Sequence, residues 1–382
     1  MNTIKNKKIA IIGGGPGGLT LARILQMNGA NVTVYERDAH KDARTKGATL
    51  DLHEESGLKA LRAAGLMEAF EKNYRPGADR MSIINKDGVV IMEDDVDKAA
   101  DRSRPEIDRG PLQQMLLDSL LPETVLWDKH FVAMEPENEG WKIAFKSGEK
   151  IFADIVIAAD GANSKLRPYI TDIKPFYSGV TAVEGVVYNA EKNAPKISAL
   201  LKGGKIFAFG NTQSLIVSSK GDGSLVFYPG FKKGENWMRE CGIDFSNKEA
   251  VTTWFKEEYK GWDTVWLELF ENAGSSFVPR PQYCMPFDQT WKALPNLTML
   301  GDAAHLMPPY AGEGVNMAML DALELGESLL NENFSSTLEA ITSYENEMRK
   351  RASETAQMTM LSTDALHSDG AIDFMMQIVN HD

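Results

Sequence analysis

Six residues near the start of the chain, Gly13-Gly14-Gly15-Pro16-Gly17-Gly18, satisfy G-x-G-x-x-G with Gly13, Gly15 and Gly18. In this motif the first glycine permits a tight turn, the second lets a pyrophosphate approach the backbone, and the third lets a helix pack closely on a strand. An acid about 20 residues further on accepts hydrogen bonds from a ribose hydroxyl. Glu36 stands at that place, at the end of the β-type run 32–35. These residues make no bond themselves; they imply that a dinucleotide is held here.

Two more acid and glycine pairs follow apolar runs. Asp160-Gly161 comes after residues 154–159, and Gly301-Asp302 comes after residues 297–300. An almost wholly apolar run of this kind suits a parallel strand buried on both faces, with its functional loop at the carboxyl end. His305 lies in the loop after Asp302. It is expected to pack beneath that loop with its ring satisfied by backbone, rather than to act as a catalyst.

The elements that must position these groups can be read from periodicity. Ile9 to Ile12 form a strand, and Leu19, Ala22 and Leu25 recur at helical spacing until Gly29 offers a C-cap. Residues 37–51 read as a mostly polar loop, and 57–70 as one helix. Asp87-Gly88 between two β-type runs signals a hairpin. A helix opened by Pro111 follows, then strands near 125, 131 and 141. Short β-type segments between 175 and 232 suggest an antiparallel sheet, closed by an amphipathic helix at 248–259. A helix from about 315 to 330 and a last helical region from 336 complete the pattern. The fold expected is α/β, with a Rossmann-type domain built from 1–75, 99–174 and 275–335. A mixed or antiparallel β-sheet substrate domain takes 76–98 and 175–274, and a C-terminal helix in 336–382 bridges the two.

At 382 residues the chain exceeds what one compact core usually holds, so two cores are expected. A net charge of -13 disfavours nucleic acid or an anionic membrane surface as partner. No run reaches the roughly 18 apolar residues of a membrane helix. The short run behind Lys5, Lys7 and Lys8 reads as a first strand and not a leader, so a cytoplasmic protein is expected. Cys241 and Cys284 form no C-x-x-C pair, and the six histidines show no ligand spacing, so no metal is expected.

The three signatures in this order resemble the FAD-dependent aromatic hydroxylases, the single-component flavin monooxygenases. Within that class the chain is most similar to the TetX family of tetracycline-inactivating monooxygenases. The likeness rests on Val34-Tyr35-Glu36-Arg37-Asp38, on G-A-T-L-D-L-H from Gly47 to His53, and on Pro105-Glu106-Ile107 before Arg109. Above all it rests on G-D-A-A-H-L-M-P-P-Y-A-G-E-G-V-N from Gly301 to Asn316. It implies that Glu36 and Arg37 hold the adenosine end of a tightly bound FAD. Asp51 and Arg109 would contact the cofactor further along, and Asp160 and Asp302 would complete the site. Backbone N–H groups of Gly312, Gly314, Val315 and Asn316 would favour negative charge on the edge of reduced flavin. The family commonly has Gln where Glu313 stands, so Glu313 is expected to face solvent or be paired.

The same resemblance implies NADPH as a transient co-substrate, with Arg44 at the NADPH position, and O2 as oxidant. The reaction would be hydroxylation of a polycyclic or aromatic small molecule through a flavin C4a-hydroperoxide, with tetracyclines the leading candidates, in a monomer. The family's tetracycline-contacting Gln, Arg and His fall at Glu184, Lys205 and Val226. A carboxylate in place of an amide repels an enolate edge, and Lys lacks the planar fork of Arg. Another phenolic or polycyclic substrate therefore stays open, as does a flavoprotein that only sequesters such a ligand. The W-x-W-x-I-P pattern of flavin halogenases is absent.

Overall fold

The computed structural model describes residues 3–43, 47, 49–93, 104–274 and 276–381. A five-stranded parallel sheet carries the dinucleotide motif. Its strands run in the order Leu297–Met299, Ile155–Ala158, Lys8–Ile12, Asn31–Tyr35 and Val125–Leu126. Every side chain of Ile155–Ala158 is buried, as a central parallel strand covered on both faces requires. The helices Pro16–Met27 and Gly314–Leu330 lie against one another, and their apolar residues share one core with this sheet. A three-stranded antiparallel meander, Phe131–Glu137, Gly140–Phe145 and Lys150–Ala153, flanks it.

The second layer is a seven-stranded sheet in the order Val278–Cys284, Phe176–Val187, Leu225–Lys232, Gln213–Ser219, Lys205–Gly210, Met81–Asn85 and Val90–Glu93. All its pairings are antiparallel except that of Lys205–Gly210 with Met81–Asn85. A parallel pairing needs a long crossover. Here the chain makes the 81–93 hairpin, returns through the first domain and comes back more than a hundred residues later. Val183, Leu215, Val217 and Phe227 face a second core with Trp254, Phe255 and Phe270.

Three expectations need correction. The segment 57–70 is not one helix: a π-type turn Glu54–Leu58 runs into Lys59–Ala63, and Met67–Glu71 starts anew. Gly65 between them has φ +69°, the left-handed conformation that ends a helix. Within the expected polar loop, Thr49–Asp51 pairs antiparallel with Glu106–Asp108. The return at 275 comes too early, because Val278–Cys284 hydrogen-bonds to Phe176–Val187 as an edge strand of the large sheet. Its two prolines, Pro279 and Pro281, hid it, and an edge is where a strand tolerates them.

The 30-residue helix Thr337–Leu366 spans about 45 Å and bridges the two layers. Near its start Tyr344 donates to the Met299 carbonyl at 3.1 Å. Just past its end His367 meets Ser214 of the large sheet at 3.0 Å. The helix Ala371–His381 then lies against Lys205–Gly210 and Met81–Asn85. Among the described residues no helix is long and apolar enough to cross a membrane.

Candidate active site

The glycine turn has the tight geometry its sequence demands. A Cβ on Gly13 would lie 2.2 Å from the Ala159 carbonyl oxygen, and one on Gly18 2.2 Å from that of Gly13. At Gly15 nothing lies within 4 Å, so the turn opens toward a ligand at the end of a 12-residue helix. The buried Glu36 carboxylate accepts from the Gly14 amide at 2.6 Å and the Asp38 amide at 2.9 Å. Arg37, the next residue, is exposed at the strand end.

Asp160, Asp302 and Arg109 are brought together from strand ends far apart in sequence. The residue that joins them is Arg167, seven positions after Asp160 and not singled out by the sequence. Its buried guanidinium donates to the carbonyls of Ala303 and Asp302 at 2.7 and 2.8 Å. It also sets a positive charge beside the Asp160 and Asp302 carboxylates. Burial pushes the Asp302 carboxyl up, while His305, Arg109 and Arg167 pull against it. Asp302 is half-buried at the start of the short helix that follows Leu297–Met299. Asp160 Oδ2 accepts from the Lys165 amide at 2.7 Å. Its Oδ1 is buried with no hydrogen bond, and burial pushes the Asp160 carboxyl above the usual carboxylate value while the Ser164 hydroxyl pulls against it. Such an acceptor is costly unless a ligand satisfies it.

The Gly312–Asn316 turn opens the 17-residue helix Gly314–Leu330. The buried Asn316 side chain donates to the Asp51 carbonyl at 2.9 Å and accepts from the His53 amide at 2.9 Å. Its amide is therefore spent on clamping the Thr49–Asp51 ribbon to the helix, which leaves only its backbone for a ligand. Val315 is half-buried against the first core. His53, another residue sequence reasoning passed over, places Nε2 3.0 Å from Asp51 Oδ2 and Nδ1 3.5 Å from Glu313 Oε1. Glu313 is thus paired. Burial would raise Asp51, but His53 and Lys205 hold it below the usual carboxylate value.

His305 is buried as expected, but its partner is a carboxylate and not backbone. Asp321 Oδ2 lies 2.5 Å from its Nε2, and Asp321 Oδ1 accepts from Arg351 at 2.7 Å. Asp321 sits one helix face down from the Gly312–Asn316 turn, 16 residues from His305, and no local spacing announced the pair.

The face of the large sheet turned away from the second core meets the ribbon at Lys205, which is ion-paired with Glu106. Pleat and register place Glu184, Tyr228, Ile216 and Phe207 in one row, with Val186, Val226, Ser218 and Lys205 in the next. Glu184 and Lys205 are three strands and one row apart, roughly 16 Å. Each already has a partner: Glu184 accepts from Arg280 Nε at 2.7 Å, and Lys205 is ion-paired with the buried Glu106. Burial raises Glu106 while Lys205 lowers it. Arg44 lies outside the described residues. Among the described residues no three His, Cys, Asp or Glu side chains are grouped as metal ligands.

An open glycine turn, a buried acid beside it, an unsatisfied buried carboxylate oxygen and a second helix N-terminus fit a ligand with an anionic middle and hydroxylated flanks. The parallel sheet with its glycine turn, set against a large mixed sheet, is an α/β dinucleotide-binding architecture. The chain matches the FAD binding domain family over residues 6–262 and 289–359, and it belongs to that family. It is similar to monooxygenase asqM of Emericella nidulans, with 26% identity over 97% of this chain and 98% of that one. In fold it is similar to Klebsiella pneumoniae HpxO complexed with FAD and uric acid, at TM-score 0.78 and 20% identity, covering 100% of this chain and 94% of that one. It is likewise similar to the tetracycline destructase Tet(55), at TM-score 0.77 and 18% identity, covering 98% and 95%.

Proposed function

We propose that this enzyme uses NADPH and O2 to hydroxylate an aromatic or polycyclic small molecule, with tetracyclines the first candidates. One observation supports this reading: Lys205, on the face of the large sheet turned away from the second core, is ion-paired with Glu106 on the strand that pairs with Thr49–Asp51, and Asp51 lies beside Gly312. On that face Glu184 and Lys205 stand roughly 16 Å apart with aromatic and aliphatic side chains between, a span suited to a multi-ring ligand rather than a single small ring.

Bound FAD would take a hydride from the nicotinamide and activate dioxygen. The chain's own residues supply the setting. Glu36 and Arg37 would hold the adenosine end, Asp160, Arg109 and Asp302 the middle, and Gly312, Gly314, Val315 and Asn316 the flavin edge through backbone N–H groups. Asp51 would meet the cofactor beside Gly312. Phe207, Ile216 and Tyr228 would orient a flat substrate and keep water out, which an oxygenase needs to avoid wasting its reductant. No domain of its own is assigned to NADPH, which would visit the exposed flavin face, and we propose a monomer that carries its whole site in one chain.

The internal pairing of Glu184 and Lys205 favours a second reading, a phenolic polycycle other than tetracycline, since neither charge is free for an enolate. The test is NADPH consumption and product mass over a panel of tetracyclines and phenolic polycycles. A product one oxygen atom heavier is expected from at least one of them. Its absence with every tetracycline excludes that class, and ligand binding without NADPH consumption would favour sequestration.

A further inference from the structure

Glu313 stands between the two glycines of the turn that would cradle the flavin, at the N-cap of Gly314–Leu330. A carboxylate there has the wrong sign. The positive helix end favours negative charge on a reduced flavin, and an ionised side chain beside it opposes that charge. The groups facing Glu313 are His53, Asp51 and Arg104. Arg104 is exposed, so water screens it, and Asp51 carries the same sign as Glu313. His53 is different. Its Nδ1 lies 3.5 Å from Glu313 Oε1, its Nε2 3.0 Å from Asp51 Oδ2, and its side chain is only 12% exposed. Its backbone N–H is held by Asn316 Oδ1 at 2.9 Å, so the imidazole is fixed relative to the helix that carries Glu313. Lys205, which is paired with Glu106, adds positive charge beside Asp51.

We propose that His53 is a positioning residue that turns Glu313 away from the flavin edge and screens its charge, so that the helix end can still favour the reduced cofactor. This rests on the reading of Gly312–Asn316 as the flavin cradle. His53 is half-buried and its ring lies 3.5 Å from the Glu313 carboxylate.

The measurement is the midpoint potential of the bound flavin in the wild type, His53→Asn, Glu313→Gln and the double variant, with FAD content read by absorbance. His53→Asn frees Glu313. It is expected to lower the ratio of reduced to oxidised flavin at fixed potential at least tenfold, about 30 mV for a two-electron couple. Glu313→Gln alone is expected to change that ratio less than tenfold, because its charge is already screened, and the double variant should match it. An unchanged potential in His53→Asn with FAD still bound overturns the proposal. So does a shift that persists undiminished in the double variant. If His53→Asn does not fold, Glu313→Gln decides alone: a positive shift of tenfold or more means that His53 does not screen it. Failure of the wild type to hold FAD would instead remove the cradle reading.

Discussion

His305 Nε2 stands 2.5 Å from Asp321 Oδ2, and the same wholly buried carboxylate accepts from the Gly301 amide at 2.8 Å and from Arg351 at 2.7 Å. One acid therefore ties the Gly301-Asp302 turn to the bridging helix. Burial alone would raise its pKa, but His305, Arg351 and the Gly301 amide together hold it below the ordinary carboxylate value. His305 is held above its own ordinary value, with burial outweighed by Asp321.

Asp321→Asn should then destabilise the protein by about 3 kcal/mol at neutral pH, since breaking the buried pair strips His305 of its carboxylate and leaves Arg351 with Glu324 alone. The pH dependence has two sides. The Asp321 contribution is present above its unfolded pKa and is lost as pH falls through the depressed folded one. The His305 contribution is present below its unfolded pKa and is lost as pH rises through the raised folded one. Urea denaturation across pH should show both losses in the wild type and neither in the variant.

His367 gives a different profile. Its ring is buried between the Ser214 hydroxyl and the Thr363 carbonyl, and burial lowers its pKa to about 4. The unfolded chain binds this proton first, so stability should fall as pH drops below about 6.5 and level off near 4, by about 3 kcal/mol in all. His367→Asn should remove this component, read as the difference between the two pH profiles of the urea midpoint.

Gly15→Ala separates folding from cofactor binding. Gly15 has φ -76° and ψ 176°, which alanine adopts freely, and nothing lies within 4 Å of the added carbon. The apoprotein should keep its stability within about 0.5 kcal/mol. FAD affinity, titrated by flavin fluorescence, should fall at least tenfold because the methyl occupies the pyrophosphate approach. Unchanged affinity would remove FAD from this turn. Gly18→Ala, blocked by the Gly13 carbonyl, should fail at the folding stage instead.

Lys205→Met strands the buried Glu106 and should cost about 2–3 kcal/mol, softened because burial already favours protonation of that acid. Lys205→Met with Glu106→Met should recover most of the loss by replacing the pair with apolar contact. If Lys205 instead serves the substrate, both variants will raise KM alike while the single variant leaves stability unchanged.

Much of this protein is legible along one strand or turn. The G-x-G-x-x-G spacing with Glu36, the apolar runs before Asp160 and Gly301, and the Asp87-Gly88 hairpin each depend on contacts within a few residues, or on glycine conformations only glycine permits. The strand Val278–Cys284 and the ribbon Thr49–Asp51 escaped because their composition is polar or proline-containing, and only a partner strand makes them β. Sequence position could nominate Glu184 and Lys205 but could not show that Arg280 and Glu106 already engage them.

By itself, then, the chain determined the dinucleotide turn, the class of fold and the order of its signatures, because glycine sterics and hydrophobic period act locally. Tertiary structure alone decided which charges meet. Arg167 beside Asp160 and Asp302, Asp321 against His305, and His53 between Asp51 and Glu313 are pairings across as many as 260 residues. Electrostatic energy depends on distance and burial in space, and no spacing along the chain encodes either.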